Sequence, residues 1–405
     1  MRNFTTKSPS PGIWKALLLL IALTAAARIG YFFYQRRVAE ESASAKVEDA
    51  RRNAEEAVQG VLQRQDVPAP SLNRGFPCVS ASVSGHEAIP QIGECTFAAD
   101  LAQGVDRFEA DLRLGRFLLR QTDLSLKDSP GVRLTRSYNS RDYLHPNRVH
   151  AFGRNANHPY DIALVGTRYP YTYQLLVFED GDFLSFDRVS DGTGFADAIF
   201  QHTETSTRFY KAVTSWNGNG WTTRLADGSR IVFPEAYQAT NMAQGAPTEM
   251  VDSAGNKLEL IRDASRNLVE IRARNGPPMK FTYDEQSRIV RAEAGADGSA
   301  KYAYNAYGML TDVVLSSGRE RHYSYDGDLM TSVKDEAGAV LVQNVYSGEF
   351  LVAQKFSGGQ KFSYEYSPGA NRTYAESALV TGPDGSRVRV ELGSSVPQQI
   401  KNPRP

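Results

Sequence analysis

The sequence predicts an all-β chain, an antiparallel sheet of repeated hairpins preceded by an N-terminal transmembrane helix and a short stalk helix. Three observations predict it. Twenty tyrosines and 19 phenylalanines stand beside 33 glycines in 405 residues, a composition suited to aromatic strands alternating with glycine turns. From Arg262 onward one pattern recurs every 21 positions. Near the start, an apolar run from Ile13 to Tyr34 is long enough to cross a bilayer at helical rise.

Residues 1–12 read as a cytoplasmic tail and 13–34, "IWKALLLLIALTAAARIGYFFY", as a transmembrane signal anchor with Tyr31, Phe32, Phe33 and Tyr34 as an interfacial aromatic belt. A cleaved signal peptide is the rival. In that reading Lys15 ends the basic region, Ala25, Ala26 and Ala27 precede the cut, and Arg28 interrupts the apolar stretch. Arg36, Arg37, Lys46, Arg51 and Arg52 after the run, against Arg2, Lys7 and Lys15 before it, would leave the bulk of the chain cytoplasmic by the positive-inside count.

The only two cysteines, Cys78 and Cys95, argue the opposite orientation, since they flank one loop as a local disulfide of an exported protein would. Two unrelated buried thiols is the other reading of that pair. The expected localisation is the inner membrane of a bacterium, single-pass, with the bulk in the periplasm or outside, the alternatives being secretion after signal cleavage or a cytoplasmic-facing bulk.

Residues 35–66 have helix-forming composition, with Val47, Ala54 and Val61 at heptad spacing, and read as a solvated stalk helix more readily than as a coiled coil. Residues 67–105 read as a linker carrying the disulfide loop. Residues 106–234 read as a compact β domain, because "RFEADLRLGRFLLRQTDLSL" and "TYQLLVFEDGDFLSFDRV" each alternate about a glycine turn. Residues 235–392 form the repeat array and 393–405 a disordered tail.

Within the array Arg262, Tyr283, Tyr304, Tyr325 and Tyr346 are spaced by 21, with Tyr366 one residue early. Two positions before each stand Leu260, Phe281, Tyr302, Tyr323, Asn344 and Tyr364. In a strand these pairs share a face, so they predict an aromatic ladder along one side of a sheet. Asp284, Asn305 and Asp326 follow as residues that bond their own turn backbone. Leu268, Ile289, Leu310, Met330 and Phe350 open the returning strands. Each unit is a hairpin that cannot bury its apolar face alone, and stability accrues from neighbour interfaces.

These tyrosine–aspartate units resemble the YD repeats of the Rhs family. "TDLSLKDSPGVRLTRSYNSRDY" from Thr122 to Tyr143 and "FGRNANHPYDIAL" from Phe152 to Leu164 are similar to the segment that leads into such repeats, so 106–234 is read as an Rhs-type N-terminal domain. The resemblance covers Asp106 to Leu392 and implies a long sheet spiralling into a curved or partial shell. Toxic family members enclose a C-terminal toxin behind a cleavage motif, whereas this chain stops at "ELGSSVPQQIKNPRP". The clear hairpins are few for a closed cocoon, so an open, curved sheet with edges in need of cover is expected.

Equal numbers of basic and acidic residues, 46 each, leave no domain-scale basic field, which argues against nucleic acid as a partner. His86, His145, His150, His158, His202 and His322 lack ligand spacing, and no metal or other cofactor is expected. His145, His150 and His158 with Asp142 and Asp161 form one stretch in which a metal or acid–base site is conceivable, although common loop composition accounts for it better. "DRVSDGTGFAD" is a solvated turn rather than a calcium loop. No nucleophile elbow, phosphate loop or zincin helix is present, so no enzymatic activity is expected.

The expected function is therefore a membrane-anchored binding or scaffold module, with carbohydrate or a protein effector as partner. The alternative is a toxin-less accessory of a contact-dependent Rhs system. The ladder tyrosines Tyr283, Tyr302, Tyr304, Tyr323, Tyr325, Tyr346, Tyr364 and Tyr366 have two readings. They pack between strands, or they stack on sugar faces with Arg319, Glu320 and Arg321 supplying hydrogen bonds.

Overall fold

In the computed structural model the described residues are 52–63, 77–84, 87–94, 106–126, 131–142, 149–205, 207–369 and 374–392. The chain divides into two units, Met1–Gln63 and Arg64–Pro405. Of the first, the structure describes one helix over 52–62, inside the predicted stalk. The predicted anchor at 13–34 and the tail at 393–405 lie outside the described residues. Among the described residues no helix is long and apolar enough to cross a membrane.

The second unit is antiparallel β. Its first eight strands are β1 (Pro77–Ser84), β2 (Glu87–Glu94), β3 (Asp106–Asp111), β4 (Arg116–Leu126), β5 (Val132–Asn139) and the two-residue β6 (Val149–His150), β7 (Gly153–Arg154) and β8 (Ala156–Asn157). Six of them make one sheet in the order β2-β1-β3-β4-β5-β8, and β6 pairs with β7. The sheet thus takes in residues 77–84 and 87–94, within the stretch expected to be a linker with the disulfide loop. Its short Ser, Ala and Val strand carries too little alternation to be read alone, and it forms by pairing Val79 with Ala110 and Ala81 with Phe108 on β3.

A second sheet begins with β9 (Ala163–Gly166), β10 (Tyr173–Val177), β11 (Phe183–Arg188), β12 (Ile199–Gln201), β13 (Val213–Trp216), β14 (Gly220–Arg224), β15 (Arg230–Pro234) and β16 (Glu249–Val251). It continues into the repeats as β17 (Lys257–Arg262), β18 (Leu268–Ala273), β19 (Met279–Tyr283), β20 (Ile289–Glu293), β21 (Ser299–Tyr304), β22 (Leu310–Leu315) and β23 (Glu320–Asp326). It ends with β24 (Leu329–Asp335), β25 (Val340–Ser347), β26 (Phe350–Phe356), β27 (Lys361–Pro368), β28 (Ala375–Thr381) and β29 (Arg387–Glu391).

Every strand pairs with the next in sequence, and the strand order is that of a closed barrel. The residue registers run without a gap from β9–β10 to β28–β29. The open sheet expected from six hairpins is exceeded because β9–β15 join the same sheet. Residues 106–234 correspondingly contribute to both sheets, with β3, β4, β5 and β8 in the first and β9–β15 in the second.

The first sheet packs on the repeat wall. One core joins Phe108, Phe117, Leu134 and Tyr138 of the first sheet to Ile271, Phe281, Tyr302, Val333, Val342 and Phe356 of the wall. A second core under β9–β15 is built from Leu176, Phe186, Phe200, Trp221 and Phe233, and Met250 packs against both. The apolar face that a lone hairpin cannot cover is covered here by the chain's own N-terminal sheet.

Candidate functional site

Five repeat hairpins carry a β-bulge at the same place, and in the sixth, that of Tyr366, the register shifts later, between Ser367 and Pro368. The register shifts between Ile261 and Arg262, Thr282 and Tyr283, Ala303 and Tyr304, Ser324 and Tyr325, and Val345 and Tyr346. A bulge leaves one residue out of the ladder and bends the strand. The tyrosine at the bulge then reaches back to the preceding hairpin. The hydroxyls of Tyr283, Tyr304, Tyr325 and Tyr366 donate to the carbonyls of Leu268, Ile289, Leu310 and Leu351, each 15 residues earlier, at 2.6–2.9 Å. Tyr346 donates to Met330 at 3.0 Å.

The residues two positions earlier point into the core. Leu260, Phe281, Tyr302, Tyr323, Asn344 and Tyr364 are all under 8 % exposed, with Tyr302 at 6 % and Tyr323 at 5 %. The wall's ladder therefore faces the N-terminal sheet. Burial pushes the Tyr323 hydroxyl up to about 12, and those of Tyr302 and Tyr325 well above the ordinary phenol value.

The first repeat departs from the pattern. Arg262 stands where the others have tyrosine, and its guanidinium donates to Tyr160 O at 2.6 Å and to Asp161 Oδ1 at 2.8 Å. It ties the array to the connector after β8.

The later hairpins are tied to the same N-terminal region, one after another. Ile289 N donates to Ala151 O at 2.7 Å, and Arg154 N to Gly308 O at 2.9 Å. Tyr138 Oη donates to Asp328 O at 2.6 Å and accepts from Met330 N at 3.0 Å. Leu351 N donates to Gly115 O at 2.8 Å and Ala375 N to Arg113 O at 2.7 Å. Four of these donors, Ile289, Met330, Leu351 and Ala375, are the first or second residue of a returning strand, beside the register shift, and their N–H groups lie outside the ladder. Gly153 at φ +86° must be glycine, since a Cβ there would lie 2.3 Å from Gly308 O.

The phrase "RLTRSYNSR" supplies two polar faces by strand alternation. Inward, Arg136 donates to Asp123 Oδ2 at 2.6 Å and to Tyr323 Oη at 2.9 Å, while Tyr302 Oη donates to Asp123 at 2.9 Å. Its guanidinium lies 5.6–5.9 Å from the ring centres of Tyr323, Phe152 and Tyr302. Arg321 Nε donates to Asp106 at 2.6 Å and Arg319 to Thr122 O at 3.0 Å, so two of the three side chains named as sugar partners, the arginines, are engaged with the N-terminal sheet.

On the opposite face Asn139 Nδ2 donates to Asp180 O at 2.5 Å and Ser137 Oγ to Glu179 at 3.2 Å. Arg120 pairs with Asp180 at 2.5 Å and with Glu109, and Arg116 with Asp111 at 2.7 Å and with Asp182. The β10–β11 turn "EDGD" is thus latched onto β4. Burial, then the charge of Asp180, raises Glu179 to about 7. Burial likewise raises Asp182 to about 6 against the lowering pull of Arg116.

The histidine stretch is divided. His158 is wholly buried with both ring nitrogens unbonded, and its Nε2 lies 3.8 Å from Asp161. Burial lowers its pKa. His150 bonds Asp142 at 3.1 Å and, with Asp161, Asn157, Asn267 and Tyr283, lines a polar cleft of about 260 Å³. His145 lies outside the described residues, and no three potential ligands converge among the described residues. Cys78 pairs through its backbone with Gly93 on β2, while Cys95 lies outside the described residues, as does the Cys78 side chain.

This is a protein of antiparallel hairpin repeats packed against its own N-terminal sheet. A family described as "Domain of unknown function (DUF6531)" matches residues 111–186, which run from the end of β3 through the Arg136 network and the latched turn. No curated protein matches. Two solved structures are similar at 12 % identity. One is a Photorhabdus luminescens Tc holotoxin pore carrying a mutation in TccC3, at TM-score 0.28, with 70 % of this chain and 15 % of that chain covered. The other, a crystal structure of TcdB2-TccC3-TEV, gives TM-score 0.29 over 75 % of this chain and 16 % of that chain. This chain spans less than a fifth of either.

Proposed function

We propose that the chain is a non-enzymatic YD-repeat scaffold of a bacterial envelope, tethered through residues 13–34, with a binding surface for carbohydrate outside the repeat core. The supporting observation is the succession of bonds from the N-terminal region to hairpin after hairpin, from Arg262 with Tyr160 to Ala375 with Arg113. A wall fastened and filled in this way is a rigid support. Its ladder tyrosines serve the fold, since the hydroxyls of Tyr283, Tyr304, Tyr325, Tyr346 and Tyr366 bond backbone carbonyls, those of Tyr302, Tyr323 and Tyr364 bond Asp123, Gln121 and Gln354, and the rings of Tyr325 and Tyr302 meet Tyr138 and Phe152. The same filling speaks against cradling a separately encoded effector on that face.

The test is thermal unfolding of the full chain carrying Tyr304→Ala and Tyr325→Ala together, with oligosaccharide binding measured alongside. A lowered midpoint is the expected result. An unchanged midpoint with lost binding would make the ladder a ligand surface and overturn this reading.

A further inference from the structure

Beside β9 the second core breaks the surface as a row of rings. Tyr169 is 75 % exposed, Tyr237 55 % and Phe195 40 %. Tyr169 meets Tyr237 edge-on at 6.3 Å and Tyr171 at 5.8 Å. Tyr171 meets Phe195 at 5.9 Å, and Phe195 meets Trp216 at 4.9 Å. Tyr169 holds this position at φ +50°, a left-handed backbone costly for an aromatic residue and commonest where function requires it. Tyr237 also borders a cleft of about 590 Å³ between β9 and the loop before β16, lined by Gln238, Thr240 and Asn241.

We propose that this corner binds a neutral saccharide, an assignment that rests on the binding-module reading above and gives it a location. Tyr169 and Tyr237 are exposed neighbours, joined to the exposed Phe195 through the buried Tyr171; such rings mark an interaction surface, and tyrosine offers both an apolar face and a hydroxyl. The charge argues for a neutral occupant. Arg168 lies 5.3 Å from the Tyr171 ring centre and is paired with Glu235 at 2.6 Å. Arg188 is taken up by Asp197 and by the carbonyls of Tyr171, Ser190, Asp191 and Gly194. Neither guanidinium is left to neutralise a phosphate or carboxylate. Sugar rings present apolar C–H faces to aromatic planes and hydroxyls to the amide and hydroxyl groups of the cleft.

The experiment titrates the purified full-length chain with cellohexaose, chitohexaose and maltohexaose, read by calorimetry and by tryptophan emission, which Trp216 couples to the row. At least one oligosaccharide should bind, and Tyr169→Ala and Tyr237→Ala should each weaken it by about tenfold without moving the unfolding midpoint. Binding that persists in both variants would remove the location while leaving a binding module in place. Absence of binding by all three, or binding of phosphatidylcholine vesicles instead, would overturn the saccharide assignment. The scaffold reading fails separately, on the unfolding of the Tyr304 and Tyr325 variant.

Discussion

The hydroxyl of Tyr325 donates to the carbonyl of Leu310 at 2.7 Å, across 15 residues of sequence. Leu310 is itself the partner of Tyr304 across the bulge of the preceding hairpin. Each tyrosine therefore closes the hairpin before its own, and the array is stitched by side chains as well as by ladders. Tyr325→Phe should cost about 1 kcal/mol, the net worth of one hydrogen bond. Tyr325→Ala should cost more, about 2–3 kcal/mol, because a half-buried ring is also lost. Urea unfolding of the full chain checks both, and equal losses would mean the hydroxyl is idle.

Arg136 is the only guanidinium bonded to Asp123 among the described residues. Removing it strands a buried carboxylate. Arg136→Met should destabilise by about 3–5 kcal/mol, and Arg136→Met with Asp123→Leu should recover much of that loss. A double variant no better than the single would mean that Tyr302 compensates the carboxylate on its own.

Stability should fall as pH rises from 5 to 8 through the latched turn. Glu179 and Asp182 are raised from ordinary values of 4.5 and 3.8 to about 7 and 6. Folding thus favours their protonated forms, a contribution present below the ordinary values and lost as pH passes through the raised ones. Arg116 and Arg120 oppose the effect, and Asp180, Asp111 and Glu109 add to the negative charge. Glu179 retains partial access to solvent, which limits the size of the change. Glu179→Gln should flatten the pH profile of the unfolding midpoint, and an unchanged slope would place the sensitivity elsewhere.

Arg262→Lys should not replace arginine. A lysine is a point charge and cannot bridge Tyr160 O and Asp161 Oδ1 with a planar fork. Limited proteolysis should then cut near residues 157–162 faster than in the parent chain. Equal rates would show that the ion pair alone holds the connector.

A membrane-impermeant thiol reagent applied to intact cells should label Cys78 and Cys95 only after mild reduction, the pattern of an oxidised pair outside the cytoplasm. Thiols that label only after lysis would place the β part inside.

The period, the hairpins and the ring positions were legible in the sequence because they are local. Alternation of period two and a turn residue after each tyrosine act within a single 21-residue unit. Tertiary structure alone decided what the ladder faces. Tyr302 meets Asp123 across 179 residues and Tyr138 meets Met330 across 192. No local pattern specifies such a partner, since a half-apolar strand face is equally compatible with a sheet, a ligand or a second chain. The tie of Arg262 to the connector, the latched turn and the ring row from Tyr237 to Trp216 were hidden for the same reason. Each joins strands that the sequence holds apart, and burial rather than spacing brings them together.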